Sequence, residues 1–114
     1  MPYMKRQSWY EDTTIVILGD HISMNNTFYD DIGNYERTIY NCFINSLPDL
    51  SNESIARNRE YCTMDYFPTI LAALGVDIEG NRGLGTNLFS GDRTLMEEMG
   101  YEKFAILFFG ILYR

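Results

Sequence analysis

The sequence has few of the residues from which small metal and disulfide sites are built. Its 114 residues include a single histidine, His21, and two cysteines, Cys42 and Cys62. The cysteines are far apart in the chain and lack the Cys-x-x-Cys or Cys/His spacing that zinc sites require. We therefore expect a buried free thiol at Cys42, and the alternative is a disulfide between the two cysteines.

Basic side chains and long apolar runs are also scarce. Nine Lys and Arg stand against 16 Asp and Glu, which gives a net charge of −7. This charge argues against extended polyanions, so we predict neither nucleic acid nor an anionic membrane surface as its partner. No run approaches the roughly 20 apolar residues of a membrane span. Residues 1–12 are too polar for a signal peptide, so we predict no targeting or transmembrane segment here.

The overall composition is that of a folded protein. Apolar residues make up 46% of the chain and aromatic residues 15%, too many for a disordered segment. A chain of this length can bury one modest core. We predict an α/β fold in a single domain, with one strand near residues 14–18 and a second over Arg37–Asn45, where apolar positions alternate.

The most informative stretch is residues 13–21, where an apolar run leads directly into an aspartate and a histidine. The run Ile15–Leu18 is short, β-branched and not alternating, which is typical of a strand buried on both faces, as in a parallel sheet. Gly19 ends the run, and Asp20 and His21 follow. Open α/β sheets bind ligands at the carboxyl ends of strands, and carboxylate and imidazole groups are common metal ligands. For these two residues alone, a capped turn or a surface pair is the commoner explanation.

A second segment, residues 63–75, has the pattern of a short amphipathic helix. Thr63 or Asp65 is suited to cap its N-terminus, and Pro68 is tolerated only near a helix start. Apolar residues then recur at helical spacing, and Gly75 supplies a left-handed stop at the C-terminus. The pattern by itself indicates no function.

Four stretches of the sequence resemble, in the same order, the sulfatase-like branch of the alkaline phosphatase superfamily, and above all its lipoteichoic acid synthase and phosphoglycerol transferase group. They cover roughly residues 9–91 and read WYEDTTIVILGDHISM, YERTIYNCFINS, NREYCTMDYFPTILAALGVDIEGN and GLGTNLFSG. The resemblance implies the C-terminal part of an alkaline-phosphatase-like mixed-sheet sandwich. Residues 1–114 would then be a partial sulfatase-like catalytic domain.

The resemblance also implies a metal site. In this family an Asp-His pair after a strand supplies two ligands to a divalent metal, usually Mn2+, and the matching residues are Asp20 and His21. A family serine just beyond the histidine contacts the substrate's phosphate group, which makes Ser23 and Asn25 candidates for substrate binding. An imidazole ligand favours Mn2+ or Zn2+ over Ca2+, since Ca2+ prefers oxygen ligands.

The implied activity is phosphoglycerol transfer at the extracellular face of the cell membrane. In that reaction a metal-activated threonine attacks a phosphatidylglycerol-type phosphodiester and passes the phosphoglyceryl group to a hydroxyl acceptor. The family's threonine and a further acidic ligand lie upstream, in an N-terminal part that we expect to be missing here. Thr13 and Thr14 do not fit the nucleophile, because both open the strand instead of following one. We therefore expect this chain alone to be inactive.

Two other functions remain open from the sequence. The first is a sulfatase or phosphodiesterase fragment on the same scaffold. The second is a catalytically inert relic or binding protein. The segment Phe104–Tyr113 departs from the family because it is almost continuously apolar, and a buried strand, a truncation scar and a frameshifted end are its alternative explanations.

Overall fold

A computed structural model describes residues 1–21, 38–47, 57–77, 79 and 83–110. The elements, in chain order, are β1 (Ile15–Leu18), β2 (Asn41–Ile44), α1 (Tyr66–Ala73), α2 (Leu95–Met99) and α3 (Tyr101–Phe109), with 3-10 turns at Met4–Arg6 and Thr63–Asp65. The chain divides into two compact units, Met1–Asn45 and Ser46–Arg114. The first contains both strands and the second contains the helices, so the mixed α/β class predicted from the sequence is confirmed.

The strands of the first unit form an antiparallel pair. Ile15 lies opposite Ile44 and Leu18 lies opposite Asn41, which confirms both predicted strands, the second over a shorter length. The prediction of a strand buried on both faces, as in a parallel sheet, is wrong for the described residues. There β1 has only β2 beside it, and Ile17 is 43% exposed. An apolar run reveals that a strand is suited to burial but not which part of the chain covers each face.

Asn45 holds together the end of this strand pair that is remote from Asp20. Its backbone has a φ of 54°, a conformation that asparagine tolerates better than most residues. Its side-chain amide donates to the carbonyls of Tyr10 and Thr13, at 2.8 and 3.3 Å. The Thr14 hydroxyl in turn donates to the Asn45 carbonyl at 2.9 Å. These bonds fix the segment that enters β1 against the end of β2.

The helix predicted over residues 63–75 is present as a 3-10 turn followed by α1. Pro68 is the third residue of α1 and is buried, a position where its missing N–H removes no intrahelical bond. Gly75 ends the helix with a φ of 75°. Its N–H donates to the carbonyl of Ala72, and the N–H of Val76 donates to that of Leu71. This is the Schellman arrangement, and it confirms the predicted glycine stop.

Two buried polar side chains of this helical segment bind the backbone of residues 86–88. The carboxylate of Asp65 accepts from the N–H of Cys62 at 2.8 Å and from the N–H of Thr86 at 2.7 Å. The Thr69 hydroxyl donates to the Asp65 carbonyl and accepts from the N–H of Leu88, at 2.6 and 2.9 Å. The segment is therefore attached to α1 through side chains, although it has no regular structure itself.

The guanidinium of Arg59 binds residues between 88 and 97, which follow this segment in the sequence. Its Nε and one terminal nitrogen donate to the two carboxylate oxygens of Glu97, at 2.6 and 2.8 Å. The terminal nitrogens also donate to the carbonyls of Leu88, Ser90 and Asp92, at 3.2, 3.2 and 2.5 Å. The Arg59 and Glu97 side chains are only 12% and 18% exposed. Such a planar, bidentate pair is the strong form of the salt bridge.

The last two helices are separated by Gly100 and start from different caps. The Thr94 hydroxyl accepts from the N–H of Glu97, and the Glu97 carboxylate accepts from the N–H of Thr94, which is a capping box for α2. The described part of the apolar tail, from Phe104 to Phe109, belongs to α3, so a buried strand is wrong for these residues. Their helical spacing brings the rings of Phe104 and Phe108 to 4.5 Å between centroids. Nowhere in the described chain is a helix long and apolar enough to cross a membrane.

We predict that replacing Arg59 by methionine destabilises the protein. The change leaves the Glu97 carboxylate without its ion-pair partner and three carbonyls without a donor. We expect the free energy of unfolding to fall by about 3 kcal/mol in urea titrations at pH 7. Lys103→Met, at an exposed position of α3, is the matched control, for which we expect a change below about 0.5 kcal/mol. Equal losses in the two variants would contradict this prediction.

We also predict that the contribution of Glu97 to stability depends on pH. The hydrogen bonds from Arg59 lower the pKa of Glu97 from 4.5 to about 2. Because the pKa is depressed in the folded state, the stabilisation is present above pH 4.5 and is lost as the pH falls towards 2. The shift corresponds to at most about 3 kcal/mol.

The measurement compares urea unfolding of the wild type and Glu97→Gln at several pH values. We expect the wild type to be the more stable at pH 7 and the difference to shrink steadily below pH 4.5. A difference that stays constant down to pH 2.5 would show that ionisation of Glu97 does not stabilise the fold.

Candidate functional site

The end of β1 is fixed by one further hydrogen bond beyond the strand. The N–H of Gly19 donates to the carbonyl of Tyr40 at 2.8 Å. This bond continues the hydrogen-bond pattern of the sheet by one residue beyond β1 and one residue before β2. The backbone then bends at Asp20 and His21. The two predicted ligands therefore lie immediately after the carboxyl end of the strand, as expected from the sequence.

The side chains of Asp20 and His21 lie side by side. One carboxylate oxygen of Asp20, Oδ1, accepts from the backbone N–H of His21 at 2.9 Å. This bond orients the carboxylate so that the other oxygen, Oδ2, is 3.6 Å from Nε2 of the imidazole. The side chains are 88% and 57% exposed, respectively. The pair is therefore accessible from solvent.

The donor set and its spacing fit a divalent metal ion. Imidazole nitrogen and carboxylate oxygen bind ions such as Zn2+ at about 2.0–2.2 Å. Oδ2 of Asp20 and Nε2 of His21 are 3.6 Å apart, a separation that two ligands of one such ion can have. The pair supplies only part of a coordination shell. In the part of the chain that the structure describes, no three His, Cys, Asp or Glu side chains are grouped to hold a metal.

The other candidate residues lie outside the described part of the chain. Ser23 and Asn25 fall within residues 22–37, so their predicted contact with a phosphate group stays a prediction. The role of Asp20 and His21 as metal ligands likewise stays a prediction, although their adjacency after β1 is observed.

The two cysteines are not paired with each other, and the surroundings of Cys62 disfavour a reactive thiolate. Both are free thiols and both are half-buried, so the alternative of a disulfide is wrong. Burial raises the pKa of the Cys62 thiol, which keeps it protonated and unreactive at neutral pH. The sequence around it also lacks the C/S-x-P-x-R pattern from which sulfatases form their nucleophile. Cys42 was predicted to be a buried free thiol; it is a free thiol, but it is half-buried.

The buried polar residues of the second unit were not recognised as a group from the sequence. Arg59 and Glu97 are 38 residues apart, and no local pattern links them. One signal was available, because Thr94-x-x-Glu97 before an apolar run is a capping box. That signal predicts the start of α2 but not the ion pair.

The sequences of known proteins align with most of this chain. Over 89 residues, 77% of its length, it is 34% identical to phosphoglycerol transferase I of Salmonella choleraesuis (strain SC-B67). Identity is 33% over the same length to the proteins of that name from Escherichia coli O139:H28 (strain E24377A / ETEC) and Shigella boydii serotype 18 (strain CDC 3083-94 / BS512). The match covers 11% of each of these relatives. The predicted resemblance to phosphoglycerol transferases is thus supported by relatives of that name.

Two further comparisons found no match. No protein-family model and no solved structure matches the chain. The similarity to phosphoglycerol transferase I therefore rests on sequence, and the observed geometry of Asp20 and His21 is independent of it.

We predict that the chain binds Mn2+ weakly through Asp20 and His21. Weak binding is expected because two ligands cannot replace a full coordination shell. Replacing Asp20 by alanine should weaken the affinity by about tenfold or more. Electron paramagnetic resonance of free Mn2+ during a titration measures this directly.

Asp12→Ala is the matched control, because Asp12 is an exposed carboxylate in the same unit. We expect it to bind Mn2+ like the wild type. Equal binding by the Asp20→Ala variant would mean that the ion is held elsewhere or not at all.

Proposed function

We propose that this chain corresponds to the C-terminal part of a metal-dependent phosphoglycerol transferase domain and supplies two of its metal ligands. The observation that carries the proposal is the placement of Asp20 and His21. They follow β1 directly, lie within 3.6 Å of each other and are open to solvent. The similarity to proteins named phosphoglycerol transferase I supports the same reading.

The proposal gives the metal a defined chemical task. A divalent ion, for which Mn2+ is our first choice, would lower the pKa of a nucleophilic hydroxyl and neutralise charge that develops on phosphate oxygens. Asp20 and His21 would hold one side of that ion. The Asp20 carboxylate, oriented by the N–H of His21, would keep its other oxygen directed towards the metal.

The remaining parts of the site would come from chain that this sequence does not contain. We propose that an N-terminal part of the domain supplies the threonine nucleophile and a further acidic ligand, in an alkaline-phosphatase-like mixed-sheet sandwich. The substrate would be a phosphatidylglycerol-type phosphodiester, reached at the outer face of the cell membrane. Among the described residues, the exposed side chain of Ile17 on β1 is compatible with further chain packing on that strand.

A chimeric enzyme tests this function. The matching 89-residue segment of the Escherichia coli O139:H28 phosphoglycerol transferase I is replaced by the corresponding segment of this chain. We expect the chimera to transfer phosphoglycerol from phosphatidylglycerol in the presence of Mn2+. Asp20→Ala or His21→Ala should lower kcat by more than about 100-fold, since even outer-shell changes cost 10–100-fold. The isolated chain should give no turnover.

The controls separate this proposal from its alternatives. Asp12→Ala in the chimera should retain the activity of the parent chimera. A chimera that keeps full activity without Asp20 and His21 would refute the site assignment. Hydrolysis of p-nitrophenyl sulfate without phosphoglycerol transfer would favour a sulfatase instead.

A further inference from the structure

Gly19, the residue that follows β1, occupies a position where a larger residue would crowd its neighbours. A Cβ atom added to Gly19 would lie 2.7 Å from Cγ2 of Ile39 and 3.3 Å from the carbonyl oxygen of Tyr40. Non-bonded carbon atoms normally approach to about 3.5–4.0 Å. An alanine here would therefore require the Ile39 side chain to move and would crowd the Tyr40 carbonyl that accepts the Gly19 hydrogen bond.

The need for glycine arises from this close approach and not from backbone conformation. Gly75, Gly83 and Gly100 have positive φ angles, and Gly19 is not among the residues that do. Gly91 provides the opposite case, since it also lacks a positive φ and an added Cβ would contact nothing within 4 Å. The two glycines allow the effect of crowding to be separated from the effect of adding a methyl group.

The close approach coincides with the last hydrogen bond before the candidate metal ligands. The N–H of Gly19 donates to the carbonyl of Tyr40 at 2.8 Å, and Asp20 is the next residue. Asp20 then binds the N–H of His21 through its carboxylate. A displacement at residue 19 would thus be passed directly to both side chains, because no other residue lies between them and the strand.

We propose that Gly19 is a positioning residue for a divalent cation bound by Asp20 and His21. Because Gly19 lacks a side chain, the backbone at residues 39–40 can pack against the end of β1. This contact fixes the backbone position from which the Asp20 and His21 side chains extend. This inference rests on the proposed function, because it requires Asp20 and His21 to be metal ligands. Gly19 itself touches neither the ion nor a substrate.

The single histidine allows Mn2+ binding at this site to be measured directly. Because the chain contains one histidine, its imidazole protons give unique NMR signals, and bound Mn2+ broadens them according to proximity. The experiment titrates Mn2+ into the full chain and records the concentration that halves the His21 signals. Mg2+, which is diamagnetic, is the control for broadening that does not require the paramagnetic ion.

Four variants are compared with the wild type. Gly19→Ala should raise the Mn2+ concentration for half-broadening by about tenfold, the lower end of losses caused by misplaced metal ligands. Gly19→Ala combined with Ile39→Ala, which removes the crowded Cγ2 atom, should recover most of that loss. Ile39→Ala alone and Gly91→Ala should bind like the wild type. Asp20→Ala tests the proposed function itself.

Each outcome supports or overturns the inference. If Asp20→Ala abolishes broadening while Gly19→Ala leaves it unchanged, the ligand pair stands and the role of Gly19 is refuted. If Asp20→Ala has no effect, the proposed metal pair fails. If Gly19→Ala unfolds the strand pair, the double variant decides, because recovered folding with recovered Mn2+ broadening supports the inference. A double variant that recovers neither the fold nor the broadening overturns it.

Discussion

The fold of the described residues 57–77 and 83–110 depends on the hydrogen bonds of the Arg59 guanidinium. Residues 88–92 have no strand or helix to satisfy their carbonyl groups, and half-buried carbonyls need donors. Arg59 supplies them to three residues while its charge is balanced by Glu97. Glu97 also belongs to the cap of α2. One ion pair therefore attaches an irregular segment and sets the start of the helix that follows it.

The same principle, side chains that bind backbone, recurs at α1. Asp65 and Thr69 are almost fully buried, although neither is apolar. Their cost of burial is offset because each makes hydrogen bonds to backbone groups that would otherwise lack partners. Gly85 allows residues 86–88 to lie close to the start of the helical segment, since a Cβ at Gly85 would lie 2.0 Å from the carbonyl oxygen of Met64. Polar contacts thus complement the small apolar core around Ala73, Leu88 and Phe104.

The sequence was sufficient where structure is determined locally. The α1 helix, its early proline and its Gly75 stop were all predicted, because each depends on residues within a turn or two. The adjacency of Asp20 and His21 after β1 was predicted for the same reason. The exposure of Ile17 and the pairing of Arg59 with Glu97 were not, since both depend on distant residues. The apolar tail was ambiguous, because a short apolar run suits a strand or a helix equally.

The candidate ligands lie in a unit whose described residues, 1–21 and 38–45, include none that is buried. A two-stranded sheet by itself is marginally stable in water. Any ion held by Asp20 and His21 would then bind only the ordered fraction of molecules. Its apparent affinity would be lowered by that fraction, and the ion would in return shift the population towards the ordered strands. Metal binding and folding of the strand pair would be a single coupled equilibrium.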